Sequence, residues 1–244
     1  MQDLFQLACR AATEAAALLR KDFVRDAGVT SSSDKDIKTL ADLAAQKLIM
    51  EALAGSGVPV VAEEGEQAVK IPAGPVWIVD PLDGTLNFTR GFPMAAVSVA
   101  LWDDGQPCLG AVADVFRGEL YSGYVSSGAW FDKEPMQVSS VADAAQAVIA
   151  TGFPSGRAYD EASLLEFVAK VRRFKKVRML GSAALMLAQV AAGRFDVYEE
   201  EDIYLWDVAA GLALVKAAGG DFRMEEGSSE LKYRVLAWNG RLSV

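Results

Sequence analysis

The chain of 244 residues contains no histidine. That absence removes serine–histidine triads, phosphohistidine intermediates and histidine-ligated zinc, since each needs imidazole as base, nucleophile or ligand. Cysteine is nearly as scarce: Cys9 and Cys108 lie far apart in apolar surroundings and read as buried thiols, not as a disulfide framework. Basic charge is also short, with 24 Lys and Arg against 33 Asp and Glu and a net charge of -9. This balance excludes nucleic acid as a general ligand and an anionic membrane as a partner, because both require a basic footprint. No apolar run approaches a membrane span, and the start at Gln2 and Asp3 lacks the basic opening and apolar run of a signal peptide. The expected compartment is therefore the cytoplasm. An acidic chain of this kind needs metal ions to act on anionic substrates, and its polar chemistry must rest on carboxylates, hydroxyls, lysine and backbone.

What is present is ample apolar material, 52% of the chain, without repeats, low-complexity tracts or long linkers. Residues 2–25 carry Leu4, Ala8, Ala11, Ala12, Ala15, Leu18 and Leu19 at helical spacing. Polar residues from Asp26 to Lys35 break that helix, and a second starts near Thr39, where Thr39 and Asp42 have capping-box spacing, and runs to Gly55. Strand signals follow at 58–62 and in Val76-Trp77-Ile78-Val79, a continuous apolar run that suits a strand buried on both faces and ending at Asp80. Runs near 94–102, 109–116, 119–124 and 128–131 suggest an antiparallel sheet. Beyond about Ser140 strands at 146–151, 176–180, 195–199 and 233–237 alternate with helices at 160–173, 182–192 and 206–217. The expected class is α/β in layers of helix and sheet, with lobes 1–140 and 141–244 completing one site.

The most informative stretch is Asp80-Pro81-Leu82-Asp83-Gly84-Thr85. Two carboxylates at the end of a buried strand repel one another and lose hydration unless cations neutralise them. Gly84 permits close backbone approach and leads into a helical turn whose N–H groups can hold a phosphate. The aspartyl-phosphate alternative fails on spacing, because its second aspartate would fall at Leu82. Elsewhere the residues admit two readings. Glu63-Glu64 ends a strand as further ligands or as a solvated face, and Asp207 after Trp206 is a ligand or a helix-start residue. Gly181-Ser182-Ala183-Ala184 opens a helix that receives a substrate or simply packs closely. Capping accounts for Thr39 and Asp42, which leaves Asp36 as the carboxylate to pair with the Thr85 hydroxyl as a base.

In order and across nearly the whole chain, these segments resemble the inositol monophosphatase family. The resemblance rests on Asp36 to Asp42, Glu63-Glu64, Trp77 to Phe88, Gly181 to Ala184 and Leu205 to Gly211, with the Asp80–Thr85 string and Trp206-Asp207 the most specific. It implies a layered α/β/α/β/α sandwich of the sugar-phosphatase type and a lithium-sensitive phosphate monoester hydrolase using two or three Mg2+ ions. Carried over by position, Glu63, Asp80, Asp83 and Asp207 are side-chain metal ligands and Leu82 supplies its carbonyl. Thr85 with Asp36 handles the attacking water, with Glu63 also in the catalytic set. Gly84 and Thr85 hold the phosphate, and Asp83, Ser182, Ala183, Glu200 and Asp207 meet the sugar or polyol. The implied activity is that of an inositol-1-monophosphatase, usually a homodimer. Relatives acting on fructose 1,6-bisphosphate, histidinol phosphate or 3′-phosphoadenosine 5′-phosphate share the metal core, and a regulatory binding protein that kept the fold is the non-enzyme alternative. A second substrate phosphate would call on Arg157, Lys170, Arg172 or Arg173.

Overall fold

The computed structural model describes residues 1–24, 26–32, 37–64, 71–153 and 160–244. Helix α1 (Gln2–Leu18) buries Phe5, Ala8, Ala11, Ala12, Ala15 and Ala16 on one face, and these mostly small side chains let it lie close against its neighbours. A π-helical turn at Leu19–Phe23 ends it earlier than the apolar spacing suggests. Where the sequence signals only a break, β1 (Val29–Ser32) pairs antiparallel with β2 (Ile37–Thr39). Short polar strands of this kind carry no alternation that would announce them. Helix α2 (Leu40–Leu53) begins with the predicted capping box: Thr39 Oγ1 accepts from Ala41 and Asp42 N–H, while the Asp42 carboxylate accepts from Thr39 N–H at 2.7 Å.

Seven strands form the first sheet in sequential order: β3 (Val60–Ala62), β4 (Pro75–Asp83), β5 (Ala96–Asp103), β6 (Gln106–Asp114), β7 (Leu120–Tyr124), β8 (Gly128–Phe131) and β9 (Glu134–Met136). Only the β3–β4 pair is parallel. From Val76 onward β4 is buried at every position, as its apolar run predicts, but it continues past Asp80 to Asp83. The register against β5 shifts between those two aspartates, and a bulge of this kind re-aims side chains at a sheet rim. The short helix α3 (Thr85–Thr89) follows.

Helix α4 (Glu161–Arg173), α5 (Ala183–Ala191) and α6 (Leu205–Ala217) alternate with the strands of a second sheet, ordered β11-β10-β12-β14-β13. These are β10 (Val148–Thr151), β11 (Lys176–Arg178), β12 (Val197–Tyr204), β13 (Asp221–Glu226) and β14 (Lys232–Trp238). β10 runs parallel to β11 and β12, and the other pairs are antiparallel. One core joins α1 and α2 to the outer face of the first sheet, and a second encloses α5 and α6 between the two sheets. Helix α6 is accordingly apolar nearly all round. A Cβ on Gly110 of β6 would lie 2.4 Å from the Ala210 carbonyl oxygen, and one on Gly211 would lie 2.4 Å from Leu187 Cβ, so both glycines are needed for the depth at which α6 sits. α4 flanks the second sheet, where Lys170 pairs with Glu199 at 3.2 Å. The result is a layered α/β fold, with helices outside and between two sheets. Cys9 and Cys108 are free thiols, half-buried and not fully enclosed.

Candidate active site

The end of β4 and the start of α6 bring three carboxylates together: Asp80, Asp83 and Asp207 each offer an oxygen within 4.8 Å of the others. Local structure fixes each one. Asp80 is fully buried, and its Oδ1 accepts from Leu82 N–H at 2.9 Å across the bulge. Its Oδ2 is buried with no hydrogen-bond partner. Asp83 caps α5, accepting from the Ser182 hydroxyl and from Ala183 and Ala184 N–H at 3.2 and 2.9 Å. Asp207 sits in the first turn of α6, whose start is anchored by the Ser98 hydroxyl on the Trp206 carbonyl at 3.3 Å. The Trp206 ring stacks on Tyr204 at 4.4 Å.

Glu63 follows β3, with its N–H on the Val79 carbonyl at 3.2 Å, and its charge bears on Asp80 and Asp207. The turn that carries it is clamped from α2. Gln46 donates to the Glu64 carbonyl and accepts from Glu64 N–H at 3.1 Å, while Lys38 pairs with the Glu64 carboxylate at 2.9 Å. Nothing in the sequence signals Gln46, because its partner lies 18 positions away.

Burial drives the carboxyl of Asp80 well above the ordinary range, and the charges of Glu63, Asp207 and Asp83 add to it. Burial likewise raises Asp207, followed by Glu63 and Asp83. Asp83 rises only to about 6, because the Ser182 hydroxyl and the α5 N–H groups hold against its burial. Like charges so placed need a cation, and the unpartnered Asp80 Oδ2 is the kind of atom a cation completes. An all-oxygen donor set without nitrogen or thiolate fits a hard divalent ion.

The single proton of the Thr85 hydroxyl has two acceptors in reach, the Leu82 carbonyl at 2.9 Å and Asp42 Oδ1 at 3.3 Å. Among the described residues the carboxylate beside the hydroxyl is Asp42 of the capping box, which is 2% exposed; Asp36, the partner expected from the sequence, lies outside the described residues. Burial raises the Asp42 pKa against the opposing hydrogen bonds from Thr39. The capping box accounts for one oxygen of Asp42, which is why the other went unread in the sequence.

Gly84 adopts φ 82°, and a Cβ there would meet the Met94 carbonyl oxygen at 2.7 Å, so glycine is required at this position twice over. Asn87, two residues past Thr85, donates to the Leu180 and Gly181 carbonyls at 2.7 and 3.1 Å and ties the approach to α5 to the motif. Ser182 and Ala183, expected to meet substrate, direct their donors at Asp83. Glu200 is buried on the same side of β12 as Tyr198, whose phenol donates to its Oε2 at 2.9 Å. Burial, together with the Asp83 charge, lifts Glu200 to about 7 against the Tyr198 hydrogen bond and Lys170.

A layered α/β chain whose buried strand delivers an acidic, cation-demanding corner next to a hydroxyl–carboxylate pair falls in the class of metal-dependent phosphatases. The sequence model of the inositol monophosphatase family matches residues 1–242. An inositol-1-monophosphatase from Synechocystis is 37% identical over 216 residues, covering 85% of this chain and 74% of that protein. The extragenic suppressor protein suhB of Bartonella henselae superposes with a TM-score of 0.87 at 33% identity, covering 98% of this chain and 95% of that one. A Staphylococcus aureus enzyme, IMPase-II with inositol monophosphate bound, superposes with a TM-score of 0.81 at 27% identity over 98% and 90% of the two chains. The chain belongs to the inositol monophosphatase family and is a phosphatase.

Proposed function

We propose that the chain is a magnesium-dependent inositol-1-monophosphatase. The observation that carries this reading is the orphaned, fully buried Asp80 Oδ2 in a cluster with Asp83 and Asp207. In this reading Glu63, Asp80, Asp83, Asp207 and the Leu82 carbonyl hold two or three Mg2+ ions. When bound, magnesium supplies positive charge to the phosphate oxygens and to the departing alkoxide. Thr85 accepts a hydrogen bond from the attacking water and passes its own proton toward Asp42 Oδ1, a base relay available without histidine. Backbone N–H groups of Gly84 and Thr85 position the phosphate. Asp83, Asp207 and Glu200 face the polyol hydroxyls, and Ser182 and Ala183 act on that side by orienting Asp83.

Of the cations considered for a second phosphate, Lys170 is engaged by Glu199 and Arg173 donates to the Ser243 carbonyl at 2.8 Å, whereas Arg172 is exposed and Arg157 lies outside the described residues. The two sheets, built from residues 60–136 and 148–238, support a division into lobes 1–140 and 141–244 with the site shared between them. A cytoplasmic homodimer completes the reading. No helix among the described residues is long and apolar enough to cross a membrane, and α4 leaves Leu164, Leu165, Val168 and Val171 exposed for a second copy to cover. Turnover of a panel of phosphate monoesters with magnesium, and with excess chelator, tests the function. Inositol 1-phosphate is expected to be the better substrate and chelator to abolish its hydrolysis; full turnover in chelator would refute the reading.

A further inference from the structure

Tyr198 has no place in the metal or phosphate machinery, yet it is fully buried with its hydroxyl inside the acidic corner. On β12 it stands two positions before Glu200, so both side chains leave the same face of the strand, toward α5 and α6. The phenol donates to Glu200 Oε2 at 2.9 Å. The carboxylate also lies against Gly152, where an added Cβ would fall 2.4 Å from Oε1 and 2.5 Å from Oε2. Between a fixed donor and a bare glycine, Glu200 has one place to be.

We propose that Tyr198 is a positioning residue for substrate choice, holding the Glu200 carboxylate so that the site discriminates phosphate esters bearing neighbouring hydroxyls from esters without them. The inference rests on the reading of Glu200 as the group that meets polyol hydroxyls. A buried carboxylate that must accept a hydrogen bond from a substrate hydroxyl needs its other oxygen satisfied, or it turns to satisfy both. Tyr198 does this with a neutral donor. Burial, then the charges of Glu200, Asp207 and Asp83, push its phenol well above the ordinary range, so the donor persists at any working pH. A lysine there would bring a charge into the centre, and a phenylalanine would leave Oε2 without this donor.

The test compares inositol 1-phosphate with p-nitrophenyl phosphate, which has no hydroxyls, at saturating magnesium. Tyr198→Phe is expected to raise KM for inositol 1-phosphate, lowering kcat/KM roughly tenfold, the scale of a hydrogen bond to a charged group. The kcat/KM for p-nitrophenyl phosphate should change by less than about twofold, since uniform damage to the centre would move both. Gly152→Ala leaves both side chains intact but sets a methyl where the Glu200 carboxylate rests, displacing it from the phenol, and the same selective loss is expected. It also serves if Tyr198→Phe fails to fold. A wild type that hydrolyses neither ester refutes the phosphatase reading and this inference together. A normal wild type, with variants that lose both substrates equally or neither, overturns the inference alone.

Discussion

Thr85 Oγ1 lies 3.3 Å from Asp42 Oδ1, while the other oxygen of the same carboxylate is held by the backbone and hydroxyl of Thr39 at 2.7 and 2.5 Å. One aspartate therefore starts a helix with one oxygen and faces the phosphate motif with the other. The cap immobilises the carboxylate, and a general base has to be fixed in this way. Thr85→Ala and Asp42→Asn are each expected to lower turnover by roughly 10²–10⁴-fold, the usual worth of general-base assistance. Asparagine at this N3 position keeps an oxygen to accept from Thr39 N–H, so Asp42→Asn should cost no more than about 1 kcal/mol of stability. The double variant should resemble the worse single one, because residues in one relay are not additive. Turnover of all four proteins at saturating magnesium decides the matter, and multiplicative losses would show two separate roles.

Asp80→Asn should nearly abolish activity while raising the melting temperature of the metal-free protein, since it removes one charge from a buried repulsive cluster. The magnesium-induced rise in melting temperature should largely vanish in the variant. Thermal unfolding with and without magnesium measures both effects, and an undiminished magnesium shift would exclude Asp80 as a ligand.

The raised carboxyl groups also set how metal-free stability responds to pH. Asp83 moves from 3.8 to about 6, Glu200 moves from 4.5 to about 7, and Asp80 and Asp207 rise as well. Within that window the folded protein binds more protons than the unfolded chain, so stability falls as pH climbs. In chelator the protein should melt at a higher temperature at pH 5.5 than at pH 7.5. Saturating magnesium should flatten or reverse the order, because a cation favours the ionised forms. An order in chelator that already favours pH 7.5 would contradict the clustered geometry.

Gly84→Ala should cost several kcal/mol or fail to fold, because it combines a left-handed backbone, worth about 1–2 kcal/mol alone, with a methyl 2.7 Å from the Met94 carbonyl oxygen. Denaturant unfolding checks this, and a loss below about 1 kcal/mol would show that the loop yields easily.

The sequence announced those parts of the molecule whose chemistry is local. The buried strand, the Asp80–Thr85 string and the Thr39–Asp42 box all declare themselves within six residues. Short polar strands such as β1 and β2 stayed hidden because Thr and Ser in a hairpin carry no apolar period. Strand β13 (Asp221–Glu226) signals itself only through the alternating pair Phe222 and Met224, too short a pattern among acidic residues to stand out. Within the site, long-range clamps were invisible: Gln46 on Glu64, and Asn87 on the 180–181 turn, are amide side chains whose partners are fixed only by folding. Asp42 was misleading in a different way, because a satisfactory local role concealed a second, distant one.

The glycines that seat α6 have a bearing on inheritance. Ala210 and Gly211 lie one helical turn beyond Asp207, and the space for them is set by the missing side chains at positions 110 and 211. A methyl at either place must lift the helix or tilt it, and the first turn travels with it. Such a lesion keeps every proposed ligand residue but moves Asp207, so in an assay it should behave as weakened metal affinity. Alleles at Gly110 and Gly211 would then group with those at Asp207 by phenotype, and excess magnesium would partly rescue the former but not the latter.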